Sequence, residues 1–191
     1  HQVHEALLLE AEAAGGMHAS LRQKTAGQLD ALADHADIDA VLLTCSTLGP
    51  AVADCRSGKV WRADGMLARK VAAALQSDPE SRIALLCAAP TTYEATRNLF
   101  MEELQQGNAD QRMQLQCVEG AWALFRSGDA AGYVACMAEA AVQAHAAGAT
   151  QVALTQVSMD GVARHWKPDA TRPVPWTVAG SALQALMEMR D

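Results

Sequence analysis

The chain has 191 residues, 15 Lys+Arg against 22 Asp+Glu, a formal net charge of −7, and 50% apolar but only 4% aromatic residues. That length fits one domain or two small lobes and is enough to bury a core without staples. The apolar content excludes a disordered chain, the acidic balance excludes a nucleic-acid surface, which wants clustered Lys and Arg, and no run of about 18 apolar residues is present to span a membrane.

In chain order, Leu21, Thr25, Leu29 and Leu32 fall on one helical face and predict a helix over 19–35. Ala40-Val41-Leu42-Leu43-Thr44 predicts a buried strand, followed by a helix over 64–76. Strands are expected at 82–87, 113–118 and 151–155, with helices at 92–105, 130–147 and 181–189. Asp129 is the expected N-cap of the 130–147 helix, with Gly148 just past its end. Asp64 is read as a cap, and the three prolines from Pro168 to Pro175 as a loop. Strand alternating with helix predicts an α/β fold with small parallel sheets flanked by helices. The 40 alanines suit helices packed closely on such sheets and leave room for a homodimer interface.

The segment Asp39 to Thr47 can be laid over Thr150 to Ser158, matching Val41 with Val152, Leu43 with Leu154 and Thr44 with Thr155. The pattern implies two similar lobes facing each other across an active-site cleft, residues 1–78 plus 176–191 forming the first and 79–175 the second. Cys45 and Gln156 then occupy equivalent places at strand ends, where ligands of parallel sheets bind.

Cys45 is the leading candidate. It closes a buried strand and opens a small-residue turn, Ser46-Thr47-Leu48-Gly49-Pro50. Free backbone N–H groups there favour a thiolate, and the hydroxyls of Ser46 and Thr47 offer donors to an anion. Cys87 closes another strand before Ala88-Ala89-Pro90-Thr91-Thr92, where Pro90 starts a helical turn and Thr91 and Thr92 face an anion or cap the turn. Packing in the core is the expected role of Cys87. Gln156 and Ser158 form a third strand-end turn, Gln156 as a hydrogen-bonding group and Ser158 as a cap or a substrate contact.

The five cysteines, Cys45, Cys55, Cys87, Cys117 and Cys136, are odd in number and lack CxxC spacing, so reduced thiols in the cytoplasm are expected. Cys55, Cys117 and Cys136 are assigned to packing. The six histidines show no metal-binding spacing, no metal is expected, and His35 and His145 read as solvated helix-end residues. Four scattered tryptophans make no stacking platform, although one is a candidate pocket wall. Nucleotide-binding loops, GxSxG elbows and kinase signatures are missing. No basic–apolar–small signal segment is found, and the chain opens on His1 without an initiator Met, so an earlier N-terminal segment is expected.

The order and spacing of several segments resemble the aspartate/glutamate/hydantoin racemase superfamily, whose relatives include arylmalonate decarboxylase and maleate isomerase. These segments are Val41 to Ala51, Arg62 to Met66, Pro90 to Thr96, Glu119 to Ala121 with Ser127 to Ala131, and Leu154 to Met159. The resemblance implies two similar α/β lobes, a site between them, no cofactor, and proton transfer at a carbon next to a carboxylate. It places Cys45 as the catalytic first-lobe cysteine, and Ser46, Thr47, Thr91 and Thr92 in turns that hold the carboxylate of a small acid or amino acid. The second-lobe cysteine position is Gln156, so a symmetrical two-thiol racemase is not implied; a one-sided isomerase or decarboxylase is. Cys87 is then a possible second thiol. The family's opening strand has no counterpart. The rival expectation is a non-catalytic carboxylate-binding protein of the same fold, with a depressed Cys45 pKa as the feature that would favour the enzyme.

Overall fold

The apolar run at Val41–Leu43 forms β1, which pairs in parallel with β2, Val60–Arg62. The computed structural model describes residues 4–104 and 110–188. The other three predicted runs become β3 (Ile83–Cys87), β4 (Met113–Cys117) and β5 (Gln151–Leu154). With β6, Trp176–Thr177, they make a four-stranded parallel sheet of order β4-β3-β5-β6. The protein is therefore α/β, with two small parallel sheets flanked by helices, as the alternation predicts.

Eight helices surround the sheets among the described residues: α1 (Glu5–Ala13), α2 (Ala19–Ala33), α3 (Ala63–Ser77), α4 (Tyr93–Glu103), α5 (Ala121–Arg126), α6 (Ala130–Ala146), α7 (Asp160–His165) and α8 (Val178–Glu188). The predicted helix ends at Gln105 and Met189 lie outside the described residues, as do His1, Gln2 and Val3. No described helix is long and apolar enough to cross a membrane.

Apolar periodicity explains the layers. Leu67, Val71 and Leu75 of α3 bury one face against Leu85 of β3, Phe100 of α4 and Val178 of α8. Met137, Ala140 and Ala141 of α6 cover the other face, packing with Leu86, Val152 and Leu154. Each fully buried leucine contributes about 1.5–3 kcal/mol over leaving it in water. In the small sheet, strand alternation turns Leu42 and Trp61 toward the α3 core, while Val41, Leu43 and Val60 pack with Leu29 and Ala33 of α2. The segment from 176 onward serves both sheets: β6 extends the larger one, and α8 packs on α3, the helix that β2 feeds.

Capping follows the sequence at α6. Asp129 Oδ1 accepts from Gly132 N–H at 2.8 Å, and Gly148 takes φ +101° just past the end. Asp64 is not a cap; Arg62 holds that position and Asp64 lies inside the first turn of α3. The tie between α2 and the chain after Cys55 is electrostatic. Buried Asp30 accepts from Ser57 N–H (3.0 Å) and Arg56 N–H (3.0 Å), and the Ser57 and Arg56 bonds hold its carboxyl below the usual 3.8. A lowered folded pKa adds stability above the unfolded value and loses it as pH falls through the folded one. Acid unfolding followed by circular dichroism should therefore show wild type losing stability below about pH 4 more steeply than Asp30→Asn, which lacks the carboxylate.

The two aligned strands differ in their surroundings. Thr155, just past β5, gives its N–H and hydroxyl to the Leu86 carbonyl, both at 3.0 Å, and is fully buried. Thr44, its counterpart past β1, is exposed. Among the described residues β1 borders only β2, and Val41 N–H donates to Lys59 O on that side. The opposite side of β1 lines a groove of about 480 Å³ shared with α1 and α2.

Candidate functional site

Cys45 lines this groove, two residues past the end of β1, and is half-buried. The turn after it is buried through Gly49 and then continues as a 3-10 turn over Gly49–Asp54. Pro50 enters that turn at a position where its missing N–H costs nothing. The N–H groups of Leu48 and Thr47 and the Thr47 hydroxyl act to lower the thiol's pKa, the effect expected of a strand-end turn. Their effect is outweighed. Burial pushes the thiol above its ordinary 9.0, and the nearby Asp64 carboxylate adds to the rise. The sequence reading has this turn favour a thiolate; the resting thiol instead holds its proton. Iodoacetamide alkylation of Cys45, followed by peptide mass spectrometry, should accordingly show a pH midpoint above that of a free cysteine, and Asp64→Asn should lower it.

Asp64 brings in a residue that the sequence reading left out of the site. Arg62, at the end of β2, grips its carboxylate with two bonds, Nε at 3.0 Å and Nη2 at 2.8 Å. Both side chains are largely buried, at 16% and 5% exposure. The guanidinium lies against the backbone of Gly49, where an added Cβ would come within 2.5 Å of Nη2. Glycine at 49 is thus what lets the arginine approach the Cys45 turn. The sequence signal was available: two opposite charges at a strand–helix junction between apolar Trp61, Ala63 and Met66.

Ser46 links the two sheets. Its Oγ donates to the Thr155 carbonyl at 3.2 Å, so the carboxyl ends of β1 and β5 face each other. Beside Thr155 stands Gln156, whose Oε1 accepts from the N–H groups of Ala88 (2.6 Å) and Ala89 (3.1 Å). Those N–H groups belong to the turn after β3, an anion-binding turn on the sequence reading. A side-chain amide oxygen fills that place.

The remaining predicted contacts divide. Thr92 is buried and spends both its N–H (3.0 Å) and its hydroxyl (2.7 Å) on the Ala89 carbonyl. Thr91 is half-buried and keeps its hydroxyl clear of such bonds among the described residues. Ser158 does not cap α7; its Oγ pairs with the Tyr133 hydroxyl at 2.9 Å. Cys87 is fully buried, and burial together with the neighbouring Cys117 pushes it up to about 12. Cys87 does not line the groove beside Cys45 and stands in register with Cys117 instead, so it is not placed as a second proton carrier there.

The groove beside Cys45 is walled by apolar side chains, among them Leu7, Leu29, Val41 and Leu48, and is lined by none of Thr91, Thr92, Gln156 or Ser158. Two polar atoms at its wall, Thr25 Oγ1 and Gln28 Oε1, are buried without a partner. The four tryptophans lie outside it: Trp61 and Trp176 sit beneath Arg69 and Lys70, and Trp122 stacks on Phe125. His145 is not solvated either. Its Nδ1 lies 2.8 Å from the Ala149 carbonyl, the ring leans on Trp166, and Nε2 is buried without a partner. Among the described residues no group of three His, Cys, Asp or Glu side chains is arranged to hold a metal ion. No protein-family model matches the chain, and no curated protein shows significant similarity to it.

Proposed function

We propose that the protein is a cofactor-independent enzyme that delivers a proton, through Cys45, to the carbon next to a carboxylate of a small acid or amino acid. The observation that carries this reading is the Cys45 turn. A half-buried thiol stands past the end of β1, with the Thr47 hydroxyl and the Thr47 and Leu48 N–H groups favouring its thiolate form. Such a thiol, holding its proton at neutral pH, is a general acid in waiting. Gln156, in the equivalent place across the Ser46–Thr155 link, is neither an acid nor a base at working pH. One-sided protonation follows, which suits a decarboxylase or an isomerase better than a two-thiol racemase. The developing charge on the sulfur after transfer would meet the Thr47 and Leu48 N–H groups, which favour the product thiolate.

A second reading has its own support. The turn after β3 is filled by Gln156 Oε1, and the raised Cys45 is what a protein with no need of a thiolate would keep. That combination fits a non-catalytic carboxylate-binding protein of the same fold. Self-association and a cytoplasmic setting belong to the same proposal, and sedimentation velocity tests the first.

The deciding experiment follows α-proton exchange in heavy water by NMR. The panel is aspartate, glutamate, hydantoins, maleate and substituted malonates. Exchange or product formation supports the enzyme and names the substrate class. Saturable binding without turnover assigns the protein to the second reading.

A further inference from the structure

Away from Cys45, β3 and β4 end on a pair of cysteines. Cys87 and Cys117 are register partners in this parallel pair. Neighbouring strands stand about 4.8 Å apart, and paired residues point to the same face. The thiols are neighbours by construction, and each feels the other's sulfur. The Val118 N–H donates to the Cys87 carbonyl at 2.8 Å, so the ladder runs on past the pair and holds it in place. Cys117 is half-buried, with Sγ 3.5 Å from the Ala88 carbonyl, while Cys87 lies fully beneath the surface. Entry is therefore by way of Cys117.

We infer that Cys87 and Cys117 form a two-thiol receptor for a trivalent arsenic centre. The site offers two sulfurs and, among the described residues, no third metal-type ligand. Tyr133 and Cys136 of the overlying α6 are engaged elsewhere, with Ser158 and the Glu119 carbonyl. A pyramidal centre that takes two sulfurs and keeps its own third substituent fits that count. The chemistry also suits a pair that holds its protons. Disulfide exchange and peroxide oxidation begin from a thiolate, which the burial of Cys87 disfavours. Condensation does not. Each As–OH group takes up one thiol proton and leaves as water while an As–S bond forms. Two waters are released from arsenous acid, and no electrons change hands.

Phenylarsine oxide is the probe, its single oxygen leaving as one water with both thiol protons. The folded chain should gain one phenylarsenic group by intact mass, and its thiols titratable after denaturation should fall by two from five. Cys87→Ser and Cys117→Ser should each abolish the stable adduct, while Cys45→Ser and Cys136→Ser should retain it. A measurement on wild type alone guards against misfolded variants: a bridged adduct resists excess 2-mercaptoethanol and yields to 2,3-dimercaptopropanol. An adduct stripped by the monothiol, one retained at the wild-type level in Cys117→Ser, or no adduct in wild type would each overturn the assignment. None of these readouts depends on the chemistry of Cys45.

Discussion

Cys45→Ser should lower the rate of product formation, read as delivery of solvent deuterium to the carbon next to the carboxylate, by about 10²–10⁴-fold, the range that positioned proton transfer contributes. The substitution changes one atom of a half-buried side chain and leaves the Thr47 and Leu48 N–H groups in place. A serine hydroxyl accepts those hydrogen bonds but is a far weaker acid than a thiol, so binding should survive while turnover is lost. In kinetic terms KM stays near wild type and kcat falls, the pattern of an interaction made chiefly in the transition state. The wild-type pH profile should show activity held on the acid side of a midpoint above 9.0, since the acid form of a raised thiol is the working one. Turnover in Cys45→Ser equal to wild type would sink the assignment of Cys45, whatever the substrate.

The second large effect is on stability. Arg62→Met removes the partner of a carboxylate that is only 5% exposed and leaves that charge buried. Breaking a buried pair from one side costs about 3–5 kcal/mol. Urea unfolding should show the loss as a lower midpoint, shifted by the lost free energy divided by the slope, with the slope itself unchanged. Arg62→Met combined with Asp64→Leu should recover much of the loss, because the pair's own Coulomb gain is largely offset by its desolvation. The same single variant reaches the site: an unneutralised Asp64 carboxylate beside Cys45 pushes the thiol further up, slowing its alkylation at fixed pH. A loss below about 1 kcal/mol, the scale of an exposed ion pair, would show that water reaches these groups.

The elements legible in the sequence are those whose burial writes a pattern. β3 and β5 are covered on both faces, so they read as unbroken apolar runs, and the Leu21–Leu29 stripe of α2 reads at helical spacing. β2 and β6 are three and two residues long, too short for any alternation to register. α1 escapes for a related reason, since only Leu7 and Ala11 of its nine residues are buried. At the site, Cys45 and its turn were legible from the strand end alone. The sign of its pKa was not, because burial and the Asp64 field come from chain that is distant or folded back over it. Gln156 shows the same limit. Its position was readable, but its commitment to Ala88 and Ala89, 68 and 67 residues away in sequence, exists only in three dimensions.

The open side of β1 bears on how the protein behaves in a tube. A strand edge lacking a neighbour is a template on which another molecule can add its own strand, and natural proteins usually blunt such edges with charge. Here the guards are acidic: Asp37 and Asp39 stand exposed immediately before the strand. Two such edges meeting bring like charges together. Colloidal behaviour should thus hinge on ionic strength, with dilute buffer keeping the edges apart and about 1 M salt, where the screening length shrinks to about 3 Å, letting chains stack edge to edge into precipitate.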